Sequence, residues 1–150
     1  MDEMIELRPV RADDAVILRQ ELYPAMTLPD VQQMIAEWES GVFEGRPFEM
    51  FALTRDGRMA GTISLFGLSP SCASIGPEIF AGERRKGIAS SAMRQMMKTA
   101  AERGYRIILQ QIRTDNAASI RLHEKLGFET DGYVYRNKKD HDVVLYVKSL

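Results

Sequence analysis

The sequence predicts an α/β fold in which a mixed, splayed β-sheet of about six or seven strands is flanked by helices. Short runs of strand-forming residues recur along the chain, from residues 5–9 to residues 142–147. Between two of them, apolar residues repeat with helical spacing from Ile88 to Ala101, which indicates a helix packed on a sheet. A Gly-Pro pair interrupts the strand before that helix and predicts the splay.

Length, charge and composition exclude several classes of protein. The 150 residues, 45% of them hydrophobic, are typical of one globular domain, which we expect to span residues 1–150. A net charge of −1 gives no case for a nucleic-acid partner. The chain has no long apolar run, and residues 1–3 are not the basic start of a signal peptide, so we expect a cytoplasmic protein with no membrane partner. One cysteine and two histidines exclude an internal disulfide, and we predict no metal site.

The first half of the chain reads as a strand, two helices and a hairpin. After the strand at residues 5–9, an Asp of the Ala12-Asp13-Asp14 segment is predicted to cap a helix that runs to Glu21. A second helix begins near Thr27 and ends at Ser40-Gly41. Its predicted apolar face contains Val31, Met34, Ile35 and Trp38. Residues 47–68 alternate about an Asp-Gly turn at 56–57, which predicts a β-hairpin.

The middle of the chain, residues 74–103, reads as strand, turn and long helix. Gly76 and Pro77 predict a bulge or a splayed section in the strand at residues 74–80. The helix that begins near Ile88 carries its apolar stripe through Ala100 and Ala101 and ends at Gly104.

Three basic residues, Arg84, Arg85 and Lys86, crowd the predicted N-terminus of that helix. Cations there oppose the helix dipole, so an anion is expected to complete the site. Gly87 and Ala89 have little or no side chain and would let a phosphate approach the backbone N–H groups. From these residues alone, a solvated turn with Glu83 as counter-charge remains an equal alternative.

The last third of the chain supplies a further strand, a helix and a strand pair. The strand at residues 105–112 is predicted to be the parallel partner of the central strand. The next helix, capped by Asp115 or Asn116, is predicted to bury a seam of Ala118, Leu122 and Leu126. Asn116, Ser119 and His123 form a polar stripe beside the seam, and without further information this pattern favours a simple solvent edge over a binding surface. Residues 132–135 and 142–147 are predicted to be the last two strands.

Two sequence blocks together resemble one family. The spacing Arg84-x-x-Gly87-x-Ala89 resembles the acyl-CoA pyrophosphate motif, (Gln/Arg)-x-x-Gly-x-(Gly/Ala), of the GCN5-related N-acetyltransferase (GNAT) superfamily. Residues 116–128 are similar to the later Asn-x-x-(Ala/Ser)-x-x-Leu-(Tyr)-x-x-x-Gly-Phe segment of that family, with His123 where tyrosine is usual. The resemblance covers most of the chain, from the opening strand to the closing strand pair.

The resemblance implies the GNAT acyl-CoA acyltransferase fold and a defined chemistry. Acetyl-CoA would be the co-substrate, and its acetyl group would pass by direct attack to a primary amine of a small molecule or a peptide N-terminus, in a monomer or homodimer. A non-catalytic acyl-CoA-binding sensor of the same fold is the alternative. A nucleotide-phosphate enzyme is disfavoured because the Gly-x-x-x-x-Gly-Lys-(Ser/Thr) loop is absent. The implied coenzyme-binding residues are Ile79, Phe80, Ala81, Arg84, Arg85, Lys86, Gly87, Ile88, Ala89, Ser90, Asn116 and Ser119.

The resemblance also directs attention to a base and an acid. Glu78, on the splayed strand, is the predicted base, directly or through a water, although strand alternation is also consistent with a structural, solvent-facing carboxylate. Gln111, where some relatives carry a glutamate base, cannot accept a proton at useful pH. His123, near the expected position of the coenzyme sulfur, is the predicted proton donor in place of the usual tyrosine. Cys72 is predicted to be an inert, packed thiol.

Residues 22–42 and the loop at residues 136–141 are predicted to choose the acceptor. The resemblance implies that the helical pair walls the acceptor site, and the coenzyme motifs leave both segments as the remaining walls of the cleft.

Overall fold

The computed structural model of the protein describes residues 4–150, so the expectation about residues 1–3 lies outside the described residues. Within that range, eight strands form one mixed sheet in the order β1-β3-β4-β5-β6-β8-β7, with the short β2 beside β3. No helix in residues 4–150 is long and apolar enough to cross a membrane. The elements are β1 (Ile5–Pro9), α1 (Ala15–Glu21), α2 (Leu28–Glu39), β2 (Val42–Phe43), β3 (Arg46–Arg55), β4 (Arg58–Gly67), β5 (Cys72–Ile79), α3 (Ile88–Glu102), β6 (Ile107–Arg113), α4 (Ala117–Lys125), β7 (Tyr135–Arg136) and β8 (Asp142–Ser149).

The predicted hairpin is confirmed as β3 and β4. Asp56 and Gly57 both have positive φ angles, 52° and 83°, as the tight turn between two twisted strands requires. A second turn of the same kind, at Glu44 and Gly45 with φ angles of 52° and 74°, joins β2 to β3. The β2 strand could not be predicted from the sequence, because a strand of two residues shows no alternation.

Helices cover the sheet on two sides and create two core clusters. The α3 stripe, including Met93 and Met96, packs with the inner residues of β4, β5 and β6. The α1 and α2 helices pack over β3 with Leu18, Val31 and Ile35 fully buried or nearly so. Trp38 of α2 packs against this second cluster. In α3, Ala101 is exposed, so the predicted apolar stripe is wrong in its last residue.

The splay between β5 and β6 is confirmed. The two strands pair in parallel only at Cys72 opposite Ile107 and Ala73 opposite Ile108, whereas β5 remains paired with β4 along its length. The alternative prediction of a bulge in β5 is wrong, because the β4–β5 register is continuous from residue 73 to residue 79. The N–H of Phe80 donates to the carbonyl oxygen of Ala60 on β4. Because backbone N–H groups alternate sides along a strand, the backbone nitrogen of residue 77 points toward β6. Pro77 therefore removes no hydrogen bond from the β4–β5 ladder.

Two local predictions are corrected. The carboxylate of Asp14 does not cap α1 but reaches back to accept from the N–H of Arg11 and from the Arg8 guanidinium. The strand predicted at residues 132–135 begins only at Tyr135. Residues 130–134 instead form side-chain-stabilised turns, in which Asp131 accepts from the N–H of Tyr133.

Candidate active site

The separation of β5 from β6 opens a cleft of about 1370 Å³, which is the main candidate for a functional site. Its walls are the facing edges of these strands, the N-terminus of α3 and one side of α4. This is the position at which ligands enter open α/β sheets, at the carboxyl ends of strands whose neighbours diverge.

Most of the predicted coenzyme-binding residues line this cleft. Phe80, Ala81 and Lys86 do not. The side chain of Phe80 is buried in the second core cluster, its N–H is already bonded to Ala60, and Lys86 turns to Glu83. Those that line the cleft are Ile79, Arg84, Arg85, Gly87, Ile88, Ala89, Ser90, Asn116 and Ser119.

The turn before α3 has the backbone geometry of an anion site. Arg85 and Gly87 both have left-handed φ angles, 63° and 74°, and Gly87 is the N-cap of α3. A non-glycine residue in this conformation is under strain, and alternating turns of this kind direct successive N–H groups toward one point. Glu83 is held by Arg55 at 2.8 Å, which lowers the pKa of the Glu83 carboxyl. Arg84 has no acidic partner within 4 Å among residues 4–150, so the positive charge of this turn is not fully neutralised by neighbouring carboxylates.

Ser90 gives the turn an unsatisfied hydrogen-bonding group. The residue is only 6% exposed, lies in the first turn of α3 and lines the cleft. Within residues 4–150, its Oγ has no hydrogen-bond partner. A buried hydroxyl without a partner is destabilising, and a ligand oxygen that accepted from Oγ would relieve this cost.

The predicted buried seam of α4 is correct for Leu122 and Leu126, which pack in the first core cluster, and wrong for Ala118. Asn116 caps it as predicted, with Oδ1 accepting from the N–H of Ser119 at 3.1 Å. Ala118 of the predicted seam is exposed and lines the cleft, while His123 of the predicted polar stripe is 3% exposed. His123 is buried because its imidazole ring packs edge-on against Phe128, with ring centroids 4.9 Å apart.

Both ring nitrogens of His123 are engaged. Nδ1 lies 2.7 Å from the Ser119 carbonyl oxygen, and Nε2 lies 3.2 Å from Nε2 of Gln110. Burial lowers the pKa of His123, and the bond to the Ser119 carbonyl only partly opposes this shift. His123 lines the cleft, but both of its ring nitrogens bond within the protein, and its role as a proton donor stays a prediction.

Glu78, the predicted base, carries a side chain that is exposed beside the cleft. It is exposed, as alternation with the buried Ile75 predicts, and it lines the cleft together with Leu22. Burial, and then the charge of Glu78, raise the pKa of Tyr23. The Tyr23 phenol therefore remains protonated at neutral pH.

The two segments predicted to choose the acceptor contact the cleft only in part. Leu22 is the cleft-lining residue of the first segment, while α2 packs on the sheet. The loop at residues 136–141 does not line the cleft, but Nδ2 of Asn137 donates at 2.9 Å to Oε1 of Gln111, which does. Nε2 of Gln111 in turn donates to the hydroxyl of Tyr135 at 2.8 Å, and Tyr135 lines the cleft. The acceptor role of both segments stays a prediction.

Cys72 is half-buried at the start of β5, and burial raises the pKa of its thiol. A thiol with a raised pKa is a poor nucleophile at neutral pH, which agrees with the predicted inert role.

Comparison with known proteins gives one consistent result. A family model described as the acetyltransferase (GNAT) domain matches residues 4–129. A curated relative, an uncharacterized N-acetyltransferase named YokL derived from the SPbeta prophage of Bacillus subtilis (strain 168), is 28% identical over 139 residues, covering 87% of this chain and 78% of the relative.

Solved structures agree on the fold. RimL, a ribosomal alpha-N-protein acetyltransferase in complex with coenzyme A, has a TM-score of 0.84 at 21% identity over 97% of this chain and 94% of its own. An acetyl transferase from Salmonella typhimurium that modifies the N-terminal serine of a 50S ribosomal subunit protein has a TM-score of 0.80 at 22% identity, over 97% and 95% of the two chains.

The family match covers most of the chain, and the splayed sheet, the anion-binding turn and the cleft agree with it. The protein therefore belongs to the GNAT family of acetyltransferases and is an acetyl-CoA-dependent N-acetyltransferase.

Proposed function

We propose that the protein transfers the acetyl group of acetyl-CoA to a primary amine of a small molecule or a peptide N-terminus by direct attack. The observation that carries this proposal is one continuous cleft with an anion-binding turn at one side and the exposed carboxylate of Glu78 at the other. A donor carrying phosphates and an acceptor carrying an amine can therefore meet between β5 and β6.

The chain has groups suited to each part of the donor. The left-handed turn, the first N–H groups of α3 and the Arg84 guanidinium suit the pyrophosphate. Alternation along β5 leaves the N–H of Ile79 on the cleft side, where it can donate to an amide carbonyl of the pantetheine arm. Asn116, whose Oδ1 is used as a helix cap, retains its amide N–H groups for the same arm.

The reaction requires the acceptor nitrogen to lose two protons. An ammonium group first passes one proton to Glu78, directly or through a water. The neutral nitrogen then attacks the thioester carbonyl carbon, a C–N bond forms, and the C–S bond breaks to release the thiolate. The second N–H proton, lost as the amide forms, passes to the departing thiolate or to solvent. A thiol pKa near 8.5 makes the thiolate a fair leaving group without a strong acid beside it.

Two structural relatives are the reason to include a peptide N-terminus among the acceptor classes to be tested. Two of the structurally similar proteins are described as acting on a ribosomal protein, one on its N-terminal serine, but their identity to this chain is only 21% and 22%. The small-molecule amine therefore remains an equal candidate for this chain.

A mass-spectrometric screen with isotopically labelled acetyl-CoA tests the proposal. We expect label in at least one member of a panel of small amines and unblocked peptides, and none in N-terminally acetylated, lysine-free copies of the same peptides. The panel should include serine-initiated peptides. Binding of acetyl-CoA without transfer to any acceptor would contradict catalysis and favour the sensor alternative.

Substitution of Ser90 by alanine separates coenzyme binding from stability. Without ligand, Ser90→Ala should melt at or above the parental temperature, because it removes a buried hydroxyl that has no partner in the described residues. Its affinity for acetyl-CoA should fall by roughly threefold to tenfold if Oγ donates to a ligand oxygen. Calorimetry checks both quantities, with Ser91→Ala, one position along the helix, as the control. Unchanged affinity would exclude contact between Oγ and the coenzyme.

A further inference from the structure

The side chain of Gln110 replaces a rung of the β-ladder at the point where β5 and β6 part. Gln110 is 6% exposed and lies in the buried phase of β6, between Ile108 and Ile112. Its Oε1 accepts from the N–H of Ile75 at 2.9 Å, and its Nε2 donates to the carbonyl oxygen of Ile75 at 2.7 Å. One side-chain amide thus satisfies both backbone groups that β5 turns toward β6 two residues beyond the last parallel pair.

This double contact determines the protonation of His123. The Ile75 backbone offers one donor and one acceptor, so only one orientation of the Gln110 amide satisfies both. The second N–H of Nε2 is then directed to Nε2 of His123, 3.2 Å away, which must act as an acceptor. The ring proton is consequently on Nδ1, where it donates to the Ser119 carbonyl at 2.7 Å.

We infer that His123 is a positioning residue that acts through Gln110. It holds the Gln110 amide in the orientation that bridges β5 to β6, and the bridge sets the separation of the strands at the closed end of the cleft. Pro77 and Ile79, the next cleft-facing positions of β5, lie directly beyond this bridge. The width available to the donor at Ile79 therefore depends on Gln110, and an uncharged acceptor at position 123 stabilises the Gln110 orientation that the Ile75 backbone selects.

The kinetic part of this inference rests on the proposed acetyl transfer, whereas its structural part does not. A glutamine side chain at position 123 can place an oxygen near the position of the imidazole Nε2 and still accept from Gln110, but it cannot donate a proton as an acid. A leucine provides bulk and no acceptor. The pair His123→Gln and His123→Leu therefore separates positioning from proton donation.

Steady-state kinetics of these variants, with a double-mutant cycle, test the inference. We expect His123→Leu and Gln110→Leu each to lower kcat/KM for acetyl-CoA by about threefold to tenfold, and His123→Gln to stay within about twofold of the parent. In a protein that already carries Gln110→Leu, adding His123→Leu should lower kcat/KM by less than a further factor of about two, because the two side chains form one network. Multiplicative losses, or a His123→Gln variant as impaired in kcat as His123→Leu, would overturn the inference in favour of direct proton donation.

Gln95 provides a matched control. Its Nε2 also donates to a strand carbonyl, that of Ile5, at 2.7 Å, but it does not line the cleft. Gln95→Leu should lower the melting temperature and leave kcat/KM unchanged. Equal kinetic losses in Gln95→Leu and Gln110→Leu would mean that general destabilisation, not the bridge, causes the effect.

A spectroscopic measurement on the parental protein needs neither activity nor a variant that folds. Nitrogen-15 NMR of the imidazole at neutral pH should show a protonated Nδ1 and an unprotonated, hydrogen-bonded Nε2. An Nε2-protonated or charged ring would overturn the bridge even in an active enzyme. If the predicted tautomer were found in a protein that acetylates nothing, the bridge would stand and the proposed function would fail.

Discussion

Replacing Gly87 by valine is expected to abolish the stabilisation of the protein by acetyl-CoA. With ligand at about 100 times its dissociation constant, the parent should gain about 2.7 kcal/mol of unfolding free energy. Gly87 is the N-cap of α3 with φ at 74°, so valine would put a branched side chain beside the first N–H groups of the helix, where the pyrophosphate would lie. The melting temperature with and without acetyl-CoA measures the gain.

The control for this variant must carry the same backbone strain elsewhere. Valine at a left-handed position costs on the order of 1–2 kcal/mol in any case, although space at Gly87 is open, with no atom within 4 Å of an added Cβ. Gly104, just beyond the other end of α3, has φ at 95° and equally open space. Gly104→Val should therefore lose similar stability and keep the full ligand-induced gain. A retained gain in Gly87→Val, or its loss in both variants, would contradict binding at this turn.

The order of elements could be predicted because local signals and tertiary structure agree. The Asp56-Gly57 turn, the α3 stripe and the glycine after that helix each act through a few neighbouring residues. The splay between β5 and β6 was also predictable, since Pro77 limits pairing on one side of its strand. Such features need no knowledge of which side of an element meets the core.

The errors in α4 have a different origin. Helical spacing placed Ala118, Leu122 and Leu126 in one seam, but spacing cannot show that the cleft opens beside Ala118. The buried side chain is His123, whose polar atoms are satisfied by groups from β6 and from its own helix. A signal for this was present, because Gln110 stands in an otherwise apolar phase of β6. A buried polar residue requires a partner, and the search for one would have led to Ile75 and His123.

The side of the cleft proposed to receive the acceptor was the least predictable region. Its groups come from separate elements, with Leu22 after α1, Glu78 on β5 and Tyr135 on β7. No local spacing connects them. Glu78 was found only because one strand carries both the splay and a carboxylate.

Proton removal from the acceptor is the step in which this side should have its largest effect. An aliphatic amine with a pKa near that of lysine, about 10.4, is mostly protonated at neutral pH and cannot attack until it loses a proton. The leaving thiolate needs less assistance, and the hydrogen bonds of His123 are already used within the protein. We therefore expect Glu78, the exposed carboxylate on the splayed strand, to lower the activation barrier more than any other side chain of the cleft.

Glu78→Gln is accordingly expected to lower kcat by roughly a hundredfold or more, within the usual range for loss of a general base. Glutamine preserves the size and polarity of the side chain, so acetyl-CoA affinity and melting temperature should remain parental. Activity of the parent should rise with pH along one limb, because deprotonation of the amine is favoured as pH increases. In the variant, that limb should move to higher pH, since only amine that is already neutral can react. Rate profiles between neutral and alkaline pH measure both effects, with Glu6→Gln, an exposed carboxylate on β1, as the control. A Glu78→Gln enzyme with the parental rate and profile would assign the base to bulk water or another group.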